Sequence, residues 1–380
     1  MKKNLVKVLV LSVVFMAQSC SDKLSDQEID GVLYLELGEI ESIAKEDLTI
    51  VDVVPLETVN ENLMGQDLRI RFSKDRIFVF DESIQDAIHV FDRNGKFMGT
   101  RVVVGEGPNT VNRLIDFYVS YSGELEILNP IGGKAQIFEV NEDKSLNHRF
   151  TVEYSCSSFT KLPNGEYLFY GSYNLPYVSH RMIRTDSAGV VLERYLENDY
   201  TNQMLPMTER NFFDSNSNLY LAETFNNVGY QFIENQLKSI IQVDFGNYAI
   251  PARFWELNLM EGGFDLLQQN GFANLNGFFK NDENSLVGIH VQKPTGISKN
   301  IIFINEKSGE QRLLETKLLD DYLFHYPIGV EENEFLFLTY RSTLLEDYGN
   351  LLSDKIKSKV PEKEFDYPVI LKVQVNDENK

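Results

Sequence analysis

The feature that most constrains this chain is a strand unit that recurs six times. Each copy opens on a turn residue and runs into a short, strongly apolar strand: DRIFVFDES from 75, GELEILNPI from 123, GEYLFYGSY from 165, SNLYLAETF from 217, NSLVGIHVQ from 284 and NEFLFLTYR from 333. A further strand follows each one, starting at 88, 136, 181, 230, 301 and 369. The intervals between copies run from 42 to 67 residues. Six copies at this period, each holding several strands, are the signature of blades arranged around an axis. Asn94-Gly95, Asn164-Gly165 and Ser308-Gly309 supply turn residues that tolerate positive φ between paired strands. The expected fold is therefore all-β, a six-bladed β-propeller.

Closure of the ring is also legible. The last copy ends at the C-terminus after its third strand, while a lone strand-like segment, Leu48 to Leu56, precedes the first copy. Pairing of that segment outside Val369–Val375 would complete the last blade and leave only short protected edges. Two segments interrupt the pattern as short helical insertions. Trp255 to Gln269 lengthens the fourth-to-fifth interval. Leu344 to Val360 carries Leu344, Leu345, Tyr348, Leu351, Leu352 and Ile356 at helical spacing before Pro361. The second is read as a packed surface helix covering one end of the propeller, in preference to a partner-binding helix.

The N-terminus reads as an export signal. Lys2, Lys3 and Lys7 precede an apolar run from Val8 to Ala17, too short to span a bilayer. The run ends in Ala17-Gln18-Ser19-Cys20, which resembles the lipobox of bacterial lipoproteins, where the Cys becomes an acylated N-terminus. Acyl chains anchor a protein to a membrane without a spanning helix. The expected organisation is a signal peptide at 1–19, an acylated Cys20 with a polar tether over 20–47, and the propeller over 48–380. Val32 to Leu37 alternates within the tether as a short strand. Cys156 is then left without a partner, so a disulfide framework is excluded and a buried structural thiol is expected.

Several stretches resemble the six-bladed, TolB-like propeller lipoproteins of Gram-negative, Bacteroidetes-type bacteria. They are Val54-Pro55-Leu56-Glu57, Val90 to Phe97, Gly105-Glu106-Gly107-Pro108, Leu319-Asp320-Asp321 and Tyr367 to Leu371. Asn109-Thr110 and Tyr322-Leu323-Phe324 stand where that family carries a Gly-Glu pair and an Asp-Gly-Gly motif. The resemblance implies the fold and the lipid anchor in the cell envelope, with the outer membrane as the expected site. It fixes no activity, because a fold this widely shared does not determine function.

Charge and motifs narrow the function. The net charge is −21, and no Lys/Arg cluster stands out, so nucleic-acid binding is excluded. The five histidines are scattered without the spacing zinc chemistry needs, and no Gly-x-Ser-x-Gly elbow occurs. Gly105 to Pro108 lacks the βαβ context of a dinucleotide site and reads as a passage from an outer strand to the next inner strand. Asp116 would begin the innermost strand of the second blade, and Asp320 and Asp321 would lead into that of the sixth. Ring closure would bring these residues to one channel mouth. The candidate ligand or partner site is thus Gly105, Gly107, Pro108, Arg113, Asp116, Asp320 and Asp321, with Arg113 pairing with Asp116 or meeting an anion. No cofactor is expected. Ca²⁺ is the one ion that these oxygen ligands would suit. The leading expectation is a non-enzymatic binding module for an envelope protein or a glycan, linked to nutrient uptake. The alternative is a metal-dependent, lactonase-like propeller hydrolase or a lyase.

Overall fold

A computed structural model describes residues 32–43, 47–84, 87–198, 209–257, 262–317, 326–349 and 352–376. Three short strands come first: β1 (Leu33–Glu36), β2 (Glu41–Ser42) and β3 (Leu48–Pro55). The first blade is β4 (Leu68–Phe72), β5 (Arg76–Asp81), β6 (Ala87–Asp92) and β7 (Phe97–Val103). The second is β8 (Asp116–Val119), β9 (Leu125–Ile131), β10 (Lys134–Val140) and β11 (Leu146–Val152). The third is β12 (Ser158–Lys161), β13 (Tyr167–Tyr170), β14 (His180–Thr185) and β15 (Val191–Glu197). The fourth is β16 (Phe212–Ser215), β17 (Asn218–Ala222), β18 (Val228–Ile233) and β19 (Gln236–Asp244). The fifth follows α1 (Gly263–Asn270) and is β20 (Phe272–Lys280), β21 (Asn284–Lys293), β22 (Gly296–Asn305) and β23 (Gln311–Lys317). The sixth begins with β24 (Tyr326–Glu331) and β25 (Glu334–Tyr340). It is interrupted by α2 (Arg341–Tyr348) and α3 (Asp354–Lys357) and ends with β26 (Pro368–Val375). The protein is a six-bladed β-propeller.

The apolar runs have a simple origin. A blade is packed on both faces by its neighbours, so its middle strands are apolar at successive positions rather than at alternate ones. In β5, every residue from Ile77 to Asp81 is buried. The hydrophobic clusters accordingly lie between blades. Phe78, Phe80 and Val90 of the first blade meet Phe117, Val119 and Ile127 of the second. Leu128, Ile137 and Phe150 of the second meet Phe159, Phe169 and Ile183 of the third. Burial of each such side chain contributes about 1.5–3 kcal/mol.

Closure is as expected. β3 is the outermost strand of the sixth blade, antiparallel to β26, with Val53 opposite Leu371 and Thr49 opposite Gln374. The chain then clamps onto the first blade. Glu57 N donates to Gly95 O at 2.8 Å, and Phe97 N donates to a Glu57 carboxylate oxygen at 3.0 Å. The β6–β7 turn is itself fixed by Asp92, whose carboxylate accepts from Asn94 N and Lys96 N at 2.9 Å each. Gly95 has φ +83°, and a Cβ there would lie 1.9 Å from Pro55 O. The stretches Val54–Glu57, Val90–Phe97 and Tyr367–Leu371 are thus parts of one latch.

The polar segment expected to be a tether joins the propeller from Leu33 onward, which moves that boundary. β1 pairs in parallel with β19, and β2 in parallel with β23. Leu35 is fully buried in this seam. The strands β1, β2 and β3 therefore lie along the outer edges of the fourth, fifth and sixth blades in turn. Residues 1–31, including Cys20 and the leader, lie outside the described residues. Among the described residues no helix is long and apolar enough to cross a membrane. Of the two insertions, the first forms a 3-10 turn (Ala252–Glu256) and α1, packing Phe254 and Leu267 with Tyr173 and Phe225. The second forms α2 and α3, with Leu344, Tyr348, Leu352 and Ile356 buried.

Candidate functional site

The two ends of the propeller differ. At one end each inner strand turns into its neighbour within a few residues, as at 216–217 and 332–333. At the other end the chain enters each inner strand through longer connections, such as 56–67, 104–115 and 245–271. We call these the hairpin end and the loop end.

The start of the inner strands at the loop end carries a buried ionic network. Arg69 of β4 is almost fully buried and pairs with Asp116 at 2.5 Å and with Glu82. Asp116, fully buried, also accepts from its own neighbour Phe117 N at 2.8 Å and from Phe159 N at 2.9 Å. One carboxylate thereby ties together the inner strands of the first three blades. Arg210, at the entry to β16, reaches Asp67 at 2.5 Å and Glu82 at 3.1 Å. Arg69 donates to Glu209 O at 3.5 Å. The first and fourth blades are opposite one another in the ring, so these bonds cross the channel. Burial alone would raise the Glu82 carboxyl, but Arg69 and Arg210 beside it hold it below the ordinary glutamate range.

Beside this lies a second buried set. The Glu209 carboxylate accepts from Ser172 Oγ at 2.5 Å, Asn211 Nδ2 at 2.8 Å and Thr224 N at 3.3 Å. Burial pushes its pKa up, only partly offset by those donors, and the Glu223 charge adds to the rise. Glu223 itself accepts from Arg181 Nε at 2.6 Å and from the Tyr170 hydroxyl at 3.0 Å.

Below the crossing bonds the channel opens into a funnel of about 500 Å³, lined by the inner strands and continuing to Tyr121, Pro163, Ser217 and Val330 at the hairpin end. Arg71, Tyr118 and Asp214 face into it. Asp214 is open to the channel yet surrounded by protein, and that enclosure raises its carboxyl while Arg71 opposes the rise. Burial, with the charges of Asp214 and Glu126 nearby, pushes the Tyr118 hydroxyl up to about 12.

The expected site residues are distributed as follows. Gly105 to Pro108 form the passage between β7 and β8, with Glu106, Gly107 and Pro108 exposed. The passage is fixed by Thr110, whose hydroxyl lies 2.8 Å from Gly105 O and 2.6 Å from Gly107 O. The left-handed residue there is Asn109, at φ 57°, rather than either glycine. Asp116 does begin the inner strand of the second blade, but it pairs with Arg69 rather than Arg113. Arg113 is exposed and has no ion pair among the described residues. The oxygens of Asp116 are occupied by Arg69 and two backbone N–H groups, so a Ca²⁺ ion at Asp116 would have to displace them. Asp320 and Asp321 lie outside the described residues. Among the described residues no group of three or more His, Cys, Asp or Glu is placed to hold a metal. Cys156 is a free thiol, half-buried against the core between the second and third blades rather than fully buried, and its pKa is pushed up by desolvation and the Asp116 charge.

Reading the sequence missed Arg69, Arg71, Glu82, Glu209, Arg210, Asp214 and Glu223. A signal for two of them was available: β4 reads Leu-Arg-Ile-Arg-Phe, placing two cations on one face of an otherwise apolar inner strand. Asp214 sits on β16 itself, and Glu82, Glu209, Arg210 and Glu223 lie on connections where charge is ordinary.

A solved structure of a Bacteroides fragilis protein, provisionally described as exported, superposes with TM-score 0.71 at 15% identity. The match covers 91% of this chain and 100% of that one. The virginiamycin B lyase of Staphylococcus aureus, at 12% identity, covers 86% of this chain and 98% of its own with TM-score 0.38. A quinonprotein alcohol dehydrogenase-like protein of Bacteroides thetaiotaomicron, at 13% identity, covers 67% of each chain with TM-score 0.37. Neither of the last two carries an argument about this chain, and the first shows the fold alone. No curated protein matches. Residues 45–374, nearly the whole propeller with its closing strand, match the family described as "Domain of unknown function (DUF4934)", and the chain belongs to that family.

Proposed function

We propose that this protein is an envelope lipoprotein, acylated at Cys20 and held at the outer membrane like the TolB-like propellers it resembles. Its propeller serves as a non-catalytic binding module for another envelope protein or a glycan. The single observation that carries the reading is the asymmetry of the two ends. The loop end bears the long connections and the three α-helices of the described residues, on a base locked by the Arg69–Asp116–Glu82–Arg210 network. Exposed Leu63, Ile84 and Tyr177 lie on its loops and exposed Phe264 on α1. Binding residues concentrate on loops positioned by a rigid scaffold. Gly105, Gly107, Pro108 and Arg113 belong to this proposed face and Asp116 supports it from beneath, while Asp320 and Asp321, outside the described residues, are assigned to it from the sequence alone. The leader-like N-terminus supports export, as does the description of the Bacteroides fragilis structural neighbour. No specific observation favours the hydrolase or lyase.

Two measurements test this. Mass spectrometry of the mature N-terminus should find an acylated Cys20, and Cys20→Ala should release the protein from membranes. An unmodified Cys20 in cells refutes the anchor. Quantitative cross-linking in cells should show partners lost with Tyr177→Glu, Phe264→Glu or the Asp320→Asn, Asp321→Asn double variant, and retained with Asp143→Asn on a β10–β11 turn. The opposite pattern would put the working face at the hairpin end.

A further inference from the structure

The funnel beneath the crossing bonds contains two opposite charges that do not meet. Arg71 projects from β4 of the first blade, and its side chain is a quarter exposed. Among the described residues its Nε has no hydrogen-bond partner, and the one carboxylate oxygen within ion-pair range, on Asp116, is 3.9 Å away. That Asp116 oxygen is already held by Arg69 at 2.5 Å. Across the channel, Asp214 of β16 has no hydrogen bond or ion pair among the described residues, although it feels the Arg71 charge. The other charges along this axis are closely paired: Arg69 with Glu82 and Asp116, Arg210 with Asp67 and Glu82, and Lys161 with Glu126 at 2.6 Å. Arg71, a quarter exposed, and Asp214, open to the channel, are left with unfilled hydrogen-bonding capacity, and a molecule that bridges both would fill it while displacing channel water.

The walls supply the rest. Phe72, Tyr118 and Ile328 line the same space. The volume, about 500 Å³, lies within the range of pockets for small organic ligands. The shape of the requirement is then a fork-accepting anion at one side, a cation at the other and an apolar body between. Arg71 offers the planar fork that suits a carboxylate bidentately, and Asp214 offers an acceptor for an ammonium group.

We propose that this funnel binds a small zwitterion of the α-amino acid class, with its carboxylate on Arg71, its ammonium on Asp214 and an apolar side chain against Phe72 and Ile328. The site goes beyond the loop-end reading. It opens at the hairpin end, neither charged residue belongs to the proposed partner face, and its test needs no partner protein, so the two can fail separately.

The experiment is a thermal-shift screen of the purified protein against the standard amino acids at millimolar concentration. Calorimetry follows on the best apolar hit, its N-acetyl derivative and its carboxamide. The free amino acid should bind, and each derivative should bind about tenfold more weakly or worse, a difference of about 1.4 kcal/mol. Asp214→Asn should weaken the free amino acid but leave the affinity of the N-acetyl derivative unchanged, a split that a merely structural role would not produce. Arg71→Leu should abolish binding. Arg71→Lys, which keeps the charge without the fork, covers the case in which the leucine variant fails to fold, and it should bind several-fold more weakly. Asp143→Asn should bind as the unaltered protein does. No stabilisation by any amino acid overturns the proposal, and so does equal binding of the free acid and both derivatives.

Discussion

At the residue scale, a few buried charges and one glycine carry much of the stability. Replacing Arg69 by Met leaves Asp116 and Glu82 buried beside a lost partner, and breaking a buried pair in this way costs about 3–5 kcal/mol. The melting temperature of Arg69→Met should fall accordingly, while Arg113→Ala, at an exposed and unpaired site, should leave it unchanged within about 0.5 kcal/mol. The network also predicts a pH dependence. The folded-state pKa of Glu82 lies below the ordinary value of 4.5, so its contribution to stability is present above that value and is lost as pH falls below it. Glu82→Gln should therefore flatten the acid limb of a melting-temperature profile recorded between neutral pH and about pH 3. A profile equally steep in the variant contradicts the assignment. Gly95→Ala should cost more than Gly133→Ala. Both positions have positive φ, a conformation that costs other residues about 1–2 kcal/mol, but only at Gly95 would the Cβ also meet the closing strand. Asp116 was legible as the start of an inner strand because strand position follows from the repeat. Its partner Arg69 was not, because 47 residues and a blade boundary separate them.

At the element scale, the strands legible in the sequence were those whose two faces are both packed. β5, β9, β13, β17, β21 and β25 read as strongly apolar segments, and all six are the second strands of their blades. β3 was legible for another reason, as a lone strand with no repeat of its own to join. The pairing of β1 and β2 was not legible. These are edge additions of four and two residues in parallel register, and nothing in so short a segment encodes its partner. Leu35 gives the β1 seam its test. Leu35→Ala removes a fully buried side chain from a segment that as a free tether would contribute nothing, and the expected loss is about 2–5 kcal/mol. An unchanged melting curve would return residues 33–36 to the role of linker.

At the scale of the whole molecule, the chain is a ring closed by its own N-terminal strand, and the binding surfaces proposed above depend on that closure. The loop-end face draws on connections that are far apart in sequence, and the funnel exists only while all six inner strands surround it. Removing residues 48–56 would expose the unpaired edge of β26, and loss of cooperative unfolding or aggregation is the expected outcome. Deletion, however, changes many things at once. The most direct measurement is a cross-link across the seam. Thr49 and Gln374 are exposed and directly opposite one another in the β3–β26 ladder. In a background lacking Cys156, Thr49→Cys with Gln374→Cys should form an intramolecular disulfide under mild oxidation, detected as a mass loss of two hydrogens and a shift on a non-reducing gel. Asp52→Cys with Gln374→Cys, displaced along the same ladder, should not. Ready bonding in the first pair and not the second is what a ring closed in this register predicts. Free thiols in the first pair, or equal bonding in both, would contradict it.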